Sequence, residues 1–197
     1  EQKTLYTEWF HTDCLSVYYD APVFSEKYWE IVENFMKNAH RAGINLILTP
    51  TFTPPLDTAV GDERPTVQLV DVTVTDGKYS FCFDKLDRWV KLANKCGIEN
   101  FEIAHFFTQW GAAHAPKIMG TENGEYKRLF GWDTDASGES YRAFLRAYIP
   151  QVRAFLRSEG LEETTLFHMS DEPSDANFET YERAAQGVRD LLMGCTV

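Results

Sequence analysis

Thr164-Thr-Leu-Phe-His-Met-Ser-Asp-Glu-Pro173 is the stretch on which the reading of this chain turns. It opens as an apolar run of strand length and closes on two adjacent carboxylates, Asp171 and Glu172, stopped by Pro173. Proline cannot donate to a strand ladder and disfavours helix for the residue before it, so an extended Glu172 is expected at the strand's end. Ser174 then offers an N-cap for a helix whose apolar positions Phe178, Tyr181, Ala184, Val188 and Leu191 recur at helical spacing. Carboxylates at the carboxyl end of a strand that feeds a helix stand where α/β proteins keep their chemistry. His168 and Ser170 are polar on a strand that ought to be buried, which argues against a merely acidic loop.

The same strand-then-helix pattern occurs three times upstream. Residues 4–11 carry β-branched and aromatic content and predict a first strand. Ser25 caps a helix with Trp29, Val32, Phe35 and Ala39 inward, ending at Gly43. Ile44 to Thr49 is a second strand; if Ile44, Leu46 and Leu48 pack on helices, then Asn45, Ile47 and Thr49 face a barrel interior. Val67 to Phe83 alternates about Asp76-Gly77, a strong hairpin signal, and is expected to be an insertion after the second strand. Asp84 caps the next helix, with Leu86, Trp89 and Ala93 inward. Residues 100–107 form a third strand, followed by a long loop through Gln109, Trp110, His114, Lys117 and Trp132. A third helix over 137–158 contains Pro150, where a kink or break is expected. Gly194-Cys-Thr-Val197 begins a fifth strand.

Four β/α units in succession favour parallel strands with right-handed crossovers. The helix-to-strand links are short and marked by glycine, whereas the strand-to-helix links are long. Elaboration on one face is what a (β/α)8 TIM barrel requires. The expected fold is therefore α/β, one partial barrel domain over residues 1–197 of about four units, with a β-hairpin after strand 2. An open doubly wound sheet is the alternative, but no glycine-rich phosphate loop follows strand one.

Composition narrows the partners. The 197 residues are 44% hydrophobic, enough for one substantial core. With 19 basic against 30 acidic residues, and no basic run, the net charge of −11 argues against nucleic acid or an anionic membrane surface. No apolar run reaches the ~20 residues a membrane span needs. Cys14, Cys82, Cys96 and Cys195 are scattered without metal-knuckle spacing and are expected as buried free thiols. The chain opens at Glu1 without methionine and is read as a piece of a longer protein, which leaves its compartment open.

Thr7-Glu-Trp-Phe-His11, Asn45 to Pro55, Gln109-Trp-Gly111, Phe130-Gly-Trp132 and His168-Met-Ser-Asp-Glu-Pro173 together resemble the catalytic barrel of glycoside hydrolase family 123 (domain of unknown function 4091). The resemblance implies a retaining, substrate-assisted β-N-acetylhexosaminidase of the β-N-acetylgalactosaminidase kind, acting on terminal β-linked N-acetylhexosamine without a cofactor. By position, Asp171 matches the residue that orients and polarises the 2-acetamido group, and Glu172 the general acid/base. Such barrels have eight units and this chain four, so the piece alone is expected to be inactive and to self-associate through open edges. A non-catalytic carbohydrate-binding or structural member of the same barrel family is the rival reading.

The chemistry explains why these residues are wanted. Glycoside cleavage passes through an oxocarbenium-like transition state and needs an acid at the leaving oxygen. In substrate-assisted enzymes the acetamido oxygen attacks in place of a protein nucleophile, and positive charge grows on its nitrogen. An ionised Asp171 accepting that N–H would stabilise it, while Glu172 would need a raised pKa to stay protonated. Around this pair, Trp9, Trp110 and Trp132 could stack on a sugar face. His11, Asn45, His105, Gln109 and His168 could bind hydroxyls. Zinc is the rival use of the histidines, and no ligand spacing supports it. Trp29 and Trp89 sit on helical stripes and are expected in the core.

Overall fold

The computed structural model describes residues 4–197. In chain order these form β1 (Thr7–Glu8), α1 (Thr12–Tyr18), α2 (Glu26–Arg41), β2 (Leu46–Thr49), β3 (Asp71–Thr75), β4 (Lys78–Cys82), α3 (Asp84–Lys95), β5 (Asn100–Ile103), β6 (Ile118–Glu122), β7 (Glu125–Phe130), α4 (Glu139–Ser158), β8 (Thr165–Phe167) and α5 (Phe178–Arg189). The fold is mixed α/β with two four-stranded sheets, one parallel in the order β1-β2-β5-β8 and one mixed in the order β4-β3-β6-β7.

The parallel sheet runs in sequence order, as expected of consecutive β/α units, and Thr196 bridges Leu166 in parallel as the next strand begins. One of its faces packs on the helices: Ile47, Phe101, Ile103 and Phe167 join the main core with Trp29, Val32, Trp89, Val90, Leu145 and Val188. The opposite face carries Leu48, paired with Glu102, which in turn pairs with Leu166. This reverses the expected facing of the second strand: Ile47 points to the helices and Leu48 to the other side. A strand apolar on both faces holds no directional signal, so alternation alone could not orient it.

Several local expectations hold. The Ser25 side chain accepts a hydrogen bond from the Tyr28 amide and caps α2. Asp76 and Gly77 both take positive φ, 50° and 73°, in the tight turn that joins β3 to β4. Others are corrected. The first strand is only Thr7–Glu8, and the residues after it turn into α1, which buries little besides Leu15, Thr12 and Asp13. Asp84 is the first residue of α3 rather than its cap, and α5 starts after Asn177, whose side chain accepts the Ser174 amide. Pro150 lies within one continuous α4. The buried stripe Tyr141, Phe144, Leu145, Tyr148, Ile149, Val152 and Leu156 runs straight through it. Burial on that scale offsets the ~3 kcal/mol that an interior proline costs. All four cysteines are free, but only Cys96 is buried, and Cys14 and Cys82 are exposed.

The long loop after the third parallel strand is itself largely a hairpin, β6–β7, turned at Asn123-Gly124 with φ of 52° and 86°. It pairs with the first hairpin through β3 and β6, so two separate insertions build one sheet. Gln68 joins them: its amide donates to the Met119 carbonyl at 2.8 Å and accepts from the Met119 amide at 2.9 Å. Tyr79, Phe81 and Phe130 pack on Phe144 of α4, and the Tyr141 hydroxyl of α4 donates to the Phe106 carbonyl at 2.6 Å. The inserted sheet thereby supports the loop that leaves β5. No described helix is long and apolar enough to cross a membrane.

Candidate active site

Beyond their last paired residues, the third and fourth parallel strands stay tied to each other. The amides of Phe106, Phe107 and Trp110 donate to the carbonyls of His168, Met169 and Asp171 at 3.1, 3.0 and 3.0 Å. The Ser170 hydroxyl donates to the Thr108 carbonyl at 2.8 Å. This sets the acid pair against the Gln109-Trp110 loop. The Trp110 indole, 41% exposed, donates its Nε1–H to Glu172 Oε2 at 2.8 Å. Gln109 is buried in the same loop.

Glu172 is not extended. Its φ is 50°, and Trp110, Gly111 and Ala112 across from it have φ of 61°, 106° and 56°. Left-handed backbone at bulky residues costs on the order of 1–3 kcal/mol each and persists only where the surroundings enforce it. The indole-to-carboxylate bond and the Trp110-to-Asp171 backbone bond supply that enforcement. Asp171 is half-buried, and its pKa is raised by burial and by the charge of Glu172 beside it.

Gly111 is required twice over. Its φ is positive, and a Cβ there would lie 2.5 Å from the Asn177 Cβ at the start of α5. Gly111→Ala is expected to destabilise the fold by ~1–3 kcal/mol in urea unfolding and to move Trp110 off Glu172. Gly124→Ala, also at positive φ but with open space around it, is the control and should leave the Trp110 environment unchanged. Equal fluorescence changes in both variants would refute the assignment.

Below the rim lies a second cluster on the face away from the helices. Glu102, only 5% exposed, accepts from the Thr7 hydroxyl at 2.9 Å and from Trp9 Nε1 at 3.3 Å, and bonds His168 Nδ1 at 2.7 Å. Burial pushes the Glu102 carboxyl up, but the bonds from His168 and Thr7 outweigh it and hold its pKa below the usual value. The His105 and His168 rings stack with centroids 3.8 Å apart, and Trp9 meets His105 edge-on at 5.5 Å. His105 is 1% exposed, with its pKa lowered to about 3 by burial and by His168. It is therefore neutral at physiological pH.

Glu102, His105 and His168 offer ligand atoms within 4.8 Å of one another, a donor set that suits zinc. Each imidazole lone pair lies in the plane of its own ring, however. Two rings stacked 3.8 Å apart at 30° do not converge on one nearby ion unless one turns. Glu102 and His168 are bonded to each other, while both ring nitrogens of His105 are buried without a hydrogen-bond partner.

Trp9, His105 and His168 are thus brought together, and Trp110 and Gln109 stand by the acid pair. His11 lies beside Asp57, with Nε2 to Oδ2 at 2.8 Å, and its pKa is lowered by burial and by Arg64. Asn45 sits at the amino end of β2. Its side chain accepts from the Tyr6 amide and donates to the Thr4 carbonyl, which anchors the first strand at the end opposite the carboxylates. Trp132 belongs to a third group: it donates to the Asp62 carbonyl at 2.8 Å and lines a crevice with Pro54, Arg64 and Lys117. Sequence reasoning missed Glu102, although alternation with Phe101 and Ile103 would have placed it on the opposite face.

Carboxylates beside an indole ring at the ends of parallel strands are groups with which a site can bind and cleave a glycoside. The chain belongs to glycoside hydrolase family 123, whose catalytic-domain model matches residues 9–197. Among solved structures it resembles a family 123 glycoside hydrolase from Clostridium perfringens, whose structural analysis concerns glycolipid glycan hydrolysis. The TM-score is 0.69 at 15% identity, over 97% of this chain and 32% of that one. The chain therefore spans about a third of that protein (32%), and at this identity the likeness is one of fold. No curated protein matches the sequence.

Proposed function

We propose that the chain forms the first half of a (β/α)8 barrel in a retaining, substrate-assisted β-N-acetylhexosaminidase, of the β-N-acetylgalactosaminidase type. The observation that carries this reading is the Asp171–Glu172 pair at the end of the fourth parallel strand, with Glu172 held by Trp110 at 2.8 Å. In this reading Glu172 protonates the leaving oxygen and later activates water. Asp171 accepts the acetamido N–H and balances the charge that grows there. Trp9, Trp110, His168 and Gln109 contact the sugar, while Asn45 and Trp132 hold the framework.

A thiazoline derived from N-acetylgalactosamine mimics the cyclised intermediate and tests the reading in the full-length protein. It should bind at least ~10²-fold more tightly than the free sugar, as transition-state-like ligands do. Preference for the free sugar would overturn catalysis and favour a binding module.

The half-barrel reading has a consequence for the isolated chain. Among the described residues β1 pairs only with β2, and an apolar cleft lined by Met169, Ala185, Leu192 and Val197 lies open beside the fourth strand. Sedimentation of the isolated 197-residue chain should show concentration-dependent association through these edges, and glycosidase assays no turnover. A single monomeric species throughout would contradict it.

A further inference from the structure

We propose that Glu102 is a positioning residue that fixes the tautomer of His168, so that His168 Nε2 accepts a hydrogen bond from one hydroxyl of the bound sugar. The inference rests on the carbohydrate reading above and adds a specificity determinant to it. An ionised carboxylate can only accept, so the 2.7 Å contact between Glu102 Oε1 and His168 Nδ1 requires the proton on Nδ1. A neutral ring protonated there carries its lone pair on Nε2, the nitrogen with no hydrogen-bond partner among the described residues.

The surroundings make the arrangement rigid. Glu102 is pinned by Thr7 and Trp9 as well as by His168, and His105 stacks on the His168 ring from one side. Thr7, Trp9, Leu46, Glu102, Leu166 and His168 line a recess of ≈ 360 Å³ on the sheet face away from the helices. In the half-barrel reading the remaining strands pack over the Leu46 and Leu166 floor. A sugar then meets only the upper edge of this recess, where Trp9 and His168 follow the strand ends and offer a ring face and one oriented acceptor. Because the acceptor is preset, a sugar that cannot donate at that position is rejected. Unlike the acid pair, this device has no part in bond cleavage.

The test uses the full-length protein with 15N-labelled histidine. At pH 8 the wild type should show His168 with Nδ1 protonated and Nε2 bare, and methyl β-N-acetylgalactosaminide should shift the Nε2 resonance. Glu102→Leu removes the oxygen that both Trp9 and His168 bond. Nothing then holds the proton on Nδ1 and the ring is free to carry it on Nε2, whereas a Gln oxygen could serve both donors and leave the tautomer unchanged. Among monodeoxy analogues of the glycoside, one should bind the wild type about 5- to 10-fold more weakly, the worth of one hydrogen bond. In Glu102→Leu that penalty should disappear. Wild-type His168 protonated on Nε2, an Nε2 resonance unmoved by sugar, or an unchanged ranking of analogues in the variant would each overturn the proposal. If the variant does not fold, the wild-type spectra decide alone. Failure of the full-length protein to cleave any glycoside would sink the proposed activity instead, leaving the tautomer and sugar binding to be read independently.

Discussion

Glu172→Gln in the full-length protein is expected to slow cleavage of alkyl β-N-acetylgalactosaminides by about 10²–10⁴-fold, the usual contribution of a positioned general acid. An alkoxide is a poor leaving group and needs the proton as the bond breaks. A nitrophenolate does not, so the first step on an activated aryl glycoside should suffer far less, and the intermediate should accumulate because water is no longer activated. The expected signature is a burst with the aryl substrate and near-silence with the alkyl one. Trp110 sharpens the experiment. Its Nε1–H donates to Glu172 Oε2, and an amide oxygen can accept the same bond. The Gln side chain can therefore keep the acid's place while lacking its proton. Equal slowing of aryl and alkyl substrates would move the acid's role to another residue.

How far these roles were legible beforehand can be followed residue by residue. The order of the parallel strands, the Asp76-Gly77 hairpin and the Ser25 cap were readable because each depends on a local signal that the fold leaves in place. The second hairpin carried the same kind of signal at Asn123-Gly124. Its strand Glu125–Phe130 is exposed along most of its length, so it shows no apolar alternation to accompany the turn. The direction of β2 was undecidable from one strand, since Ile47 and Leu48 are both buried and only their neighbours distinguish the faces. Glu102 was within reach, since alternation with Phe101 and Ile103 in the third of four parallel strands puts it on the inner face. Its role shows only from its partners Thr7, Trp9 and His168, which lie far off in sequence. At Glu172 the proline rule gave the wrong conformation, because bonds from Trp110, 62 residues away, hold a left-handed backbone there. Local rules yield at sites where tertiary contacts are strong enough to override them, and those sites are where function concentrates.

Asp171→Asn should lower the rate on aryl and alkyl N-acetylglycosides by similar factors, about 10²-fold or more, because it removes the charge that supports the acetamido nitrogen and not the proton at the leaving oxygen. Substrates without the N-acetyl group should be poor for the wild type and scarcely worse for the variant. The pH profile provides a second discriminator. Burial and the neighbouring Glu172 raise the Asp171 pKa, so as pH falls this carboxylate is neutralised earlier than an ordinary aspartate. The acid limb of kcat/KM should therefore lie above the ~3.9 of a free aspartate, and it should vanish in Asp171→Asn. The sign of the stability effect follows from the same shift. A carboxyl whose pKa is higher in the fold than in the unfolded chain favours the folded state while protonated and opposes it as pH rises through that range. Removing the charge should then leave Tm at pH 7 unchanged or slightly higher, so the lost rate cannot be blamed on unfolding. A variant that is as stable as the wild type, cleaves N-acetylglycosides normally and retains the acid limb would show that Asp171 only shapes the turn into Pro173, and that the nucleophile is a carboxylate elsewhere.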